Sequence, residues 1–169
     1  MSAFYALFLC SAIPVGAQTL TREVSIAGGA SQFDASGTGT APLAAIRAVT
    51  PLVRQWMLGE ISLSYASLDE QFSTANTRVG VAEGQLQAQL NAARVRPYVG
   101  VGGGWLHYFN NSVGRPPTGS TVSGSGGLRI PVSSALLLRG ELRFRIWKSW
   151  DEDFVNSAAE WTFGMGYAF

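Results

Sequence analysis

The sequence predicts an all-β fold, a closed barrel of eight antiparallel strands that run up and down around one axis. Three observations favour this fold. About eight stretches show the period-two alternation that is typical of strands, and few stretches have a helical period. The connections between these stretches are alternately short and long. The last stretch, Trp161 to Phe169, carries a large apolar side chain at every second position.

The segment before the first strand predicts export. Residues Ala3 to Ile13 form an apolar run that is too short to span a bilayer, and small residues follow it up to Ala17. We expect a signal peptide over residues 1–17 and a barrel domain over residues 18–169. Cleavage after Ala17 would remove Cys10, the only cysteine, so we expect neither a disulfide nor a lipid anchor. One feature departs from the usual signal peptide, because no Lys or Arg precedes the apolar run.

The strands and their connections follow in chain order. The predicted strands cover residues 22–33, 42–50, 56–67, 79–90, 97–109, 121–131, 136–148 and 159–169. Short connections around 51–55, 91–96 and 131–135 alternate with longer polar ones around 34–40, 68–78, 110–120 and 149–157. An even number of strands, with short turns at one end and long loops at the other, is typical of barrels that span a membrane.

A run of glycines in the fifth strand has a structural explanation. Gly100, Gly102 and Gly104 share one face, which we predict to be the inner face, next to the strand that carries Arg129. Missing side chains there leave room for long arginine side chains. The run lacks a complete G-x-G-x-x-G spacing and no helical pattern follows it, so we do not expect a nucleotide-binding loop.

The seventh strand has the clearest alternation. One face carries Leu136, Leu138, Gly140, Leu142, Phe144 and Ile146, and the other carries Leu137, Arg139, Glu141, Arg143, Arg145 and Trp147. Periodicity alone does not decide which face points inward. A secreted soluble barrel of the lipocalin kind would turn the aliphatic face toward a hydrophobic ligand, whereas a membrane barrel would turn it toward lipid.

The charged residues favour the membrane barrel. Charged residues make up 14% of the chain, against about 25% in soluble domains. The only lysine is Lys148, and the remaining basic residues are arginines, which suit buried and paired positions. The net charge of +1 gives no sign of nucleic-acid binding.

Strand parity places balanced charges on the inner face. If the hairpins close symmetrically, Arg47 faces Glu60 and Arg145 faces Glu160. The same parity predicts an interior charge network of five arginines and five glutamates: Glu23, Arg47, Glu60, Glu83, Arg129, Arg139, Glu141, Arg143, Arg145 and Glu160. A barrel of eight strands is just wide enough for such side chains to fill it, so we predict a polar, plugged interior. Outward Trp and Tyr side chains near strand ends would form interfacial girdles, while Trp147 and Tyr98 would plug the two ends.

The terminal strand and the barrel pattern together resemble the small eight-stranded outer-membrane β-barrels, the family that includes the OmpA transmembrane domain, OmpX and the opacity-type proteins. The resemblance covers residues 18–169 as architecture. It implies a bacterial outer-membrane location, contact with outer-membrane lipid and lipopolysaccharide, and recognition by the barrel-assembly machinery. The assembly signal would include Phe163, Tyr167 and Phe169.

The resemblance also frames the expected function. Members of the family include structural anchors, adhesins and enzymes that modify lipid A. We expect a non-enzymatic anchor that presents four loops, without cofactor or metal. The enzymatic alternative depends on His107, the only histidine. Lipid A deacylase barrels carry a serine two residues from the histidine, whereas this chain has Phe109 there. A conducting pore is the last alternative, because arginines and glutamates would fill so narrow a tube.

Overall fold

The barrel is closed and contains the eight predicted strands. The computed structural model describes residues 22–33, 40–53, 56–69, 76–90, 94–109, 118–149 and 155–169. The strands are β1 (Glu23–Phe33), β2 (Thr40–Val53), β3 (Met57–Asp69), β4 (Asn76–Gln89), β5 (Arg96–Phe109), β6 (Thr118–Pro131), β7 (Leu136–Ser149) and β8 (Val155–Ala168). Each strand pairs with the next in antiparallel fashion, and β1 pairs with β8. The predicted fold class is confirmed.

The two ends of the barrel differ. One end, the turn end, carries the short connections and the beginning of β1 and end of β8. The opposite end, the loop end, carries the connections 34–39, 70–75, 110–117 and 150–154. The predicted long loops, at residues 34–40, 68–78, 110–120 and 149–157, reach into the strands at their edges, and the rest of each loop falls outside the described residues, as does the predicted signal peptide. No helix in the described part of the chain is long and apolar enough to cross a membrane.

Several strands extend further toward the loop end than the sequence predicted. β6 begins at Thr118 instead of residue 121, and β8 begins at Val155 instead of residue 159. The added residues are small or polar on both faces, so no apolar alternation marks them. They continue as strand because each gains hydrogen bonds from a strand that is already in place.

The predicted facing pairs are wrong by two residues. Glu60 faces Val49, and Arg47 faces Ser62, because β2 continues to Val53 and the β2–β3 register shifts between Pro51 and Val53. At the other hairpin Glu160 faces Arg143, and Arg145 faces Ala158. A shift of two keeps every side chain on its predicted face, whereas a shift of one would have inverted the faces.

The outer wall is apolar. Side chains of Ile26, Ile61, Leu142 and Phe144 point outward and expose between 55% and 70% of their surface. A soluble barrel would turn these side chains inward, around a ligand cavity. The soluble ligand-binding alternative is therefore wrong, because the apolar wall lies on the outside and charged residues fill the inside.

The interior has two layers. Charged and amide side chains, together with the apolar Val49, Leu58 and Leu137, fill the part from the turn end to past the middle. The part beneath the loop end is instead a cluster of apolar and aromatic side chains, the apolar cap: Phe33, Ala41, Leu43, Ala66, Val79, Val81, Leu106, Tyr108, Trp147 and Ala158. The predicted polar interior thus describes the charged layer, and the sequence interpretation missed the apolar cap above it.

Candidate functional site

The charged layer centres on two carboxylates from different strands. Glu60 Oε2 accepts hydrogen bonds from Arg139 Nη2 at 2.5 Å and from Gln87 Nε2 at 2.9 Å, and its Oε1 accepts from Arg143 Nη2 at 2.7 Å. Glu141 accepts from Arg139 Nη2 at 2.5 Å and from Arg143 Nε at 3.1 Å. Two arginines therefore bridge the same two glutamates. This arrangement joins β3 to β7 across the lumen.

Arg47 lies beside this group. Its Nη2 donates to Thr162 Oγ1 at 2.9 Å and lies 3.2 Å from Glu141 Oε1. The Nε of Arg47 lies 3.8 Å from Glu60 Oε1, although the two residues are not directly opposite in the ladder. Long side chains reach such diagonal neighbours, so the pairing of charge survives the shift of register.

Toward the loop end, Glu83 and Glu160 share one arginine. Arg145 Nη2 donates to Glu83 Oε2 at 2.9 Å, and Arg145 Nη1 donates to Glu160 Oε1. The hydroxyl of Ser123 also donates to Glu83. Arg145 lines the small interior cavity of about 10 Å³ beneath the apolar cap, together with Trp147. The charged layer ends at this level.

Toward the turn end, Arg129 is completely buried. Its Nε donates to Glu23 Oε2 at 2.9 Å, Nη1 to Gln89 Oε1 at 3.0 Å and Nη2 to Gln87 Oε1 at 2.6 Å. Its guanidinium carbon lies 4.1 Å from the ring centroid of Tyr98. All ten residues predicted for the interior network lie on the inner face, none more than 5% exposed.

The charges in this layer hold one another in place. Removing an arginine or a glutamate from water costs several kcal/mol, and a well-placed opposite charge offsets that cost. Some buried polar atoms toward the turn end have no hydrogen-bond partner in the protein: Glu23 Oε1, Ser25 Oγ, Arg47 Nε, Arg47 Nη1 and Arg139 Nη1. Ser25 faces Arg47, and Arg139 Nη1 lies 3.7 Å from Glu23 Oε1, so these atoms line one region. Internal water ordinarily satisfies such groups in folded proteins.

Tyr98 closes the turn end from the inside. Its hydroxyl donates to Glu141 Oε2 at 2.5 Å and accepts from Arg139 Nε at 2.8 Å. Tyr98 lies against Gly127, its facing residue on β6, where an added Cβ would come within 2.5 Å of the Tyr98 hydroxyl. Gly127 is therefore required for the position of Tyr98.

The glycines of β5 also make room for inner side chains, but the predicted occupant was wrong. A Cβ on Gly102 would lie 2.3 Å from Gln85 Cγ, and a Cβ on Gly100 would lie 2.9 Å from Gln87 Cγ. Amide side chains of β4 occupy the space that we had assigned to arginines. Cross-strand geometry explains this, because Gly100 faces Gln87 and Gly102 faces Gln85.

The sequence interpretation missed one buried cation. Arg96 is 8% exposed and faces Arg129 across the β5–β6 ladder. It has the same parity as Tyr98, which points inward. Starting the predicted strand at residue 97 removed Arg96 from the parity count, and starting it one residue earlier would have included it.

The apolar cap closes the loop end. The Trp147 ring packs edge-on against Phe33, with centroids 6.0 Å apart, and its Nε1 donates to Tyr108 Oη at 3.1 Å. Leu106 and Val79 lie beneath them and are at most 2% exposed. Trp147 and Tyr98 thus lie inside opposite ends of the barrel, where the sequence analysis had placed them.

His107 lies on the outer wall near the loop end. It is half-buried, and its ring meets Phe109 edge-on at 4.6 Å between centroids. Thr118 faces it on β6, and Ser120 lies two residues further along. The sequence analysis missed these exposed hydroxyl groups because it began the sixth strand at residue 121. Among the outward side chains that the structure describes, none is a carboxylate, so no acidic partner orients His107 there.

The terminal strand closes the barrel with its large side chains outward. Phe163 is 73% exposed, and Tyr167 stacks on Phe169 with ring centroids 6.3 Å apart. The Phe169 amide donates to Arg22 O at 3.0 Å, and the Arg22 amide donates to Phe169 O at 3.0 Å. These bonds continue the β1–β8 ladder beyond Ala168, so Phe169 is held in place. Across the described residues, no cluster of His, Cys, Asp or Glu could hold a metal ion.

Solved structures share this architecture at low identity. The Neisserial surface protein A is 12% identical, with a TM-score of 0.72 over 88% of this chain and 97% of that chain. Ail of Yersinia pestis is 13% identical, with a TM-score of 0.57 over 88% and 97%. The outer membrane enzyme PagL is 11% identical, with a TM-score of 0.60 over 87% and 99%. These likenesses show the fold.

The sequence itself identifies the family. Among curated proteins no sequence matches the chain. The family model described as the outer membrane protein beta-barrel domain matches residues 3–169. That match agrees with the closed eight-stranded barrel and its apolar outer wall. The chain therefore belongs to the outer membrane protein β-barrel family, and its location is the bacterial outer membrane.

Proposed function

We propose that this barrel is a non-catalytic anchor that holds four connecting loops at the cell surface. The filled interior is the observation that carries the proposal. The charged layer and the apolar cap occupy the lumen from end to end, and the small cavity of about 10 Å³ between them has no room for a substrate. A rigid barrel of this kind suits the display of loops, which carry function on many scaffolds.

Adhesion is the surface role that we assign to these loops. Ail, described as an attachment invasion locus protein, has the same fold, and a second structure of Ail contains the heparin analogue sucrose octasulfate. We propose that the present loops likewise contact an external partner. Replacing residues 110–117 by a Gly/Ser linker of equal length should reduce adhesion of expressing cells to host matrix. The barrel should still shift on an unboiled gel, and unchanged adhesion after replacement of all four loops would refute the adhesive role.

Lipid hydrolysis at His107 is the second candidate. It draws support from the exposed hydroxyls of Thr118 and Ser120 beside the imidazole, and from the shared fold of PagL, an outer membrane enzyme. The missing element is a carboxylate to orient the imidazole, since none of the described outward side chains supplies one.

One experiment separates the two candidates. The lipid A and phospholipid of cells that express the wild-type protein, a His107→Ala variant or no protein are compared by mass spectrometry. An anchor leaves the three lipid profiles identical. A lipid product that appears with wild-type protein and disappears with His107→Ala would establish the enzyme and overturn the anchor.

We further propose that the barrel-assembly machinery recognises the outward aromatic face of β8. The support is the placement of Phe163, Tyr167 and Phe169 on one exposed face at the seam where the sheet closes. A factor that delivers the last strand to the first would meet this face before closure.

A further inference from the structure

The outer wall near the loop end carries a polar patch above the apolar band, which we name the outer rim patch. Its members point outward from four adjacent strands: Arg78, His107, Thr118, Ser120 and Lys148. Thr118 faces His107, and Ser120 faces Lys148, so the patch is continuous from β5 to β7. Arg78 faces Phe109, two residues beyond His107 on the same face.

We expect the outer rim patch to lie at the height of lipid headgroups. Arg78 is the third residue of β4, His107 is third from the end of β5, and Lys148 is next to the end of β7. At a rise of about 3.3 Å per residue, each lies within about 10 Å of the loop end of its strand. Trp105 faces Ser120 from β5 and is 72% exposed, and Lys148 faces the same serine from β7, so an interfacial indole and a cation flank Ser120.

The two charged side chains that define the outer rim patch are both cations. Arg78 and Lys148 are exposed cations, whereas no described side chain on the outer wall is a carboxylate. The glutamates of the described strands all point into the lumen. The described side chains of this wall therefore present cations and hydrogen-bond donors, and an anion that accepts hydrogen bonds complements them.

We propose that the outer rim patch binds the phosphates of anionic lipid headgroups in the surrounding leaflet, with Arg78 and Lys148 at its two ends. Arg78 and Lys148 supply the charge, His107, Thr118 and Ser120 supply hydrogen bonds, and the acyl chains lie along the apolar wall below, over Trp105. This proposal rests on the outer-membrane location and is independent of the anchoring role. A soluble phosphate lacks the chains that this geometry places on the wall, so we commit to the lipid.

Quenching of Trp105 by a brominated lipid tests the proposal. The refolded protein is placed in phosphatidylcholine vesicles that contain a minor fraction of phosphatidylglycerol, and the bromine is carried either by the anionic or by the zwitterionic lipid. Binding makes quenching by brominated phosphatidylglycerol exceed quenching by brominated phosphatidylcholine at the same mole fraction. A Trp105→Phe variant should remove that excess, which assigns it to Trp105.

The charge variants decide the result. The double variant Arg78→Gln/Lys148→Gln should lose most of the excess, at about a fivefold reduction in local enrichment for each charge removed. Arg22→Gln, which removes an exposed cation at the turn end, should leave the excess at the wild-type level. Each variant is first checked for a heat-modifiable folded band.

Three outcomes would overturn the proposal. The excess could persist in the double variant, or Arg22→Gln could remove as much of it as the double variant does. The third is that millimolar inorganic phosphate abolishes the excess, which would make the patch a site for the free anion. Retention of the excess under phosphate supports the lipid.

Discussion

At the scale of single residues, Arg139 is the positive partner that three buried carboxylates share. Its guanidinium donates to Glu60 and Glu141 and lies within 3.7 Å of Glu23. Removing it leaves these buried carboxylates with fewer positive partners, which is far more costly than replacing a whole ion pair by apolar side chains.

We expect Arg139→Met to destabilise the barrel by about 3–5 kcal/mol. The measurement is the free energy of unfolding in urea, with the protein in lipid vesicles. Arg22→Met is the control, because the Arg22 side chain is exposed at the turn end and its loss should change stability by about 0.5 kcal/mol or less. Equal effects of the two substitutions would contradict the assigned role of the charged layer.

Gly127 allows a second test at this scale. A Cβ there would lie 2.5 Å from both the Tyr98 hydroxyl and the backbone oxygen of Gly140, so Gly127→Ala must displace Tyr98 from Glu141 and Arg139. We expect a loss of about 1–3 kcal/mol in the free energy of unfolding. Gly124→Ala is the matched control on the same strand, because nothing lies within 4 Å of its added Cβ. The idea fails if both variants unfold alike.

At the scale of the strand, the orientation of β7 decides what surrounds the barrel. Phe144 faces Gly124 and Ala159, points outward and is 55% exposed. An arginine at this position would carry a charge into the hydrocarbon, and we expect Phe144→Arg to cost about 2–4 kcal/mol in vesicles. Phe144→Leu is the control and should cost much less. A tolerated arginine would mean that this face does not meet lipid.

A substitution at the end of β8 can distinguish an effect on the stability of the barrel from an effect on its recognition by the assembly machinery. Phe169→Ala keeps both backbone hydrogen bonds to Arg22 and removes only the ring that stacks on Tyr167. We expect refolding in vitro to be nearly unchanged, while the amount of folded barrel in the outer membrane of cells falls severalfold. Val155→Ala, at the other end of the same strand, should leave both measurements unchanged. A parallel decline in vitro would show that Phe169 acts through stability alone.

At the scale of the whole molecule, the two layers of the interior block the lumen. The charged layer pairs its arginines and glutamates with one another, and the apolar cap excludes water above it. We therefore expect no stepwise ion conductance from the wild-type barrel in planar bilayer recordings. Uniform conductance steps that require folded protein would refute this picture.

The fold could be predicted from the sequence because each side chain of a barrel strand can point only inward or outward. Once one residue of a strand is assigned to the inner face, alternation assigns every second residue of that strand to the same face. A register error of two residues therefore left Arg47 and Arg145 on the inner face. The apolar cap was missed, although the same parity assigns its residues to the inner face. Leu43, Val79 and Leu106 lie on the inner face, yet their side chains look like those of the lipid-facing wall, so only the parity counted from distant charged residues assigns them.

The outer rim patch escaped prediction for a different reason. Thr118 and Ser120 lie in a segment that has no alternation of apolar and polar residues, so the sequence pattern does not mark it as a strand. Their place beside His107 depends on the pairing of β5 with β6. Side-chain pattern gives the face of a residue along its own strand, whereas proximity between strands depends on register. Sites that are assembled from several strands are for this reason harder to predict than the walls themselves.

The shared contacts of the charged layer constrain which substitutions the interior can accept during evolution. Arg139 and Arg143 each touch Glu60 and Glu141, so an exchange at one position alters the electrostatics of the others at once. The outer wall has no such coupling, because lipid accepts any apolar side chain of suitable size. We expect descendants of this barrel to vary freely outside and to change inside only in compensating sets, so that sequence identity falls to low values while the architecture persists.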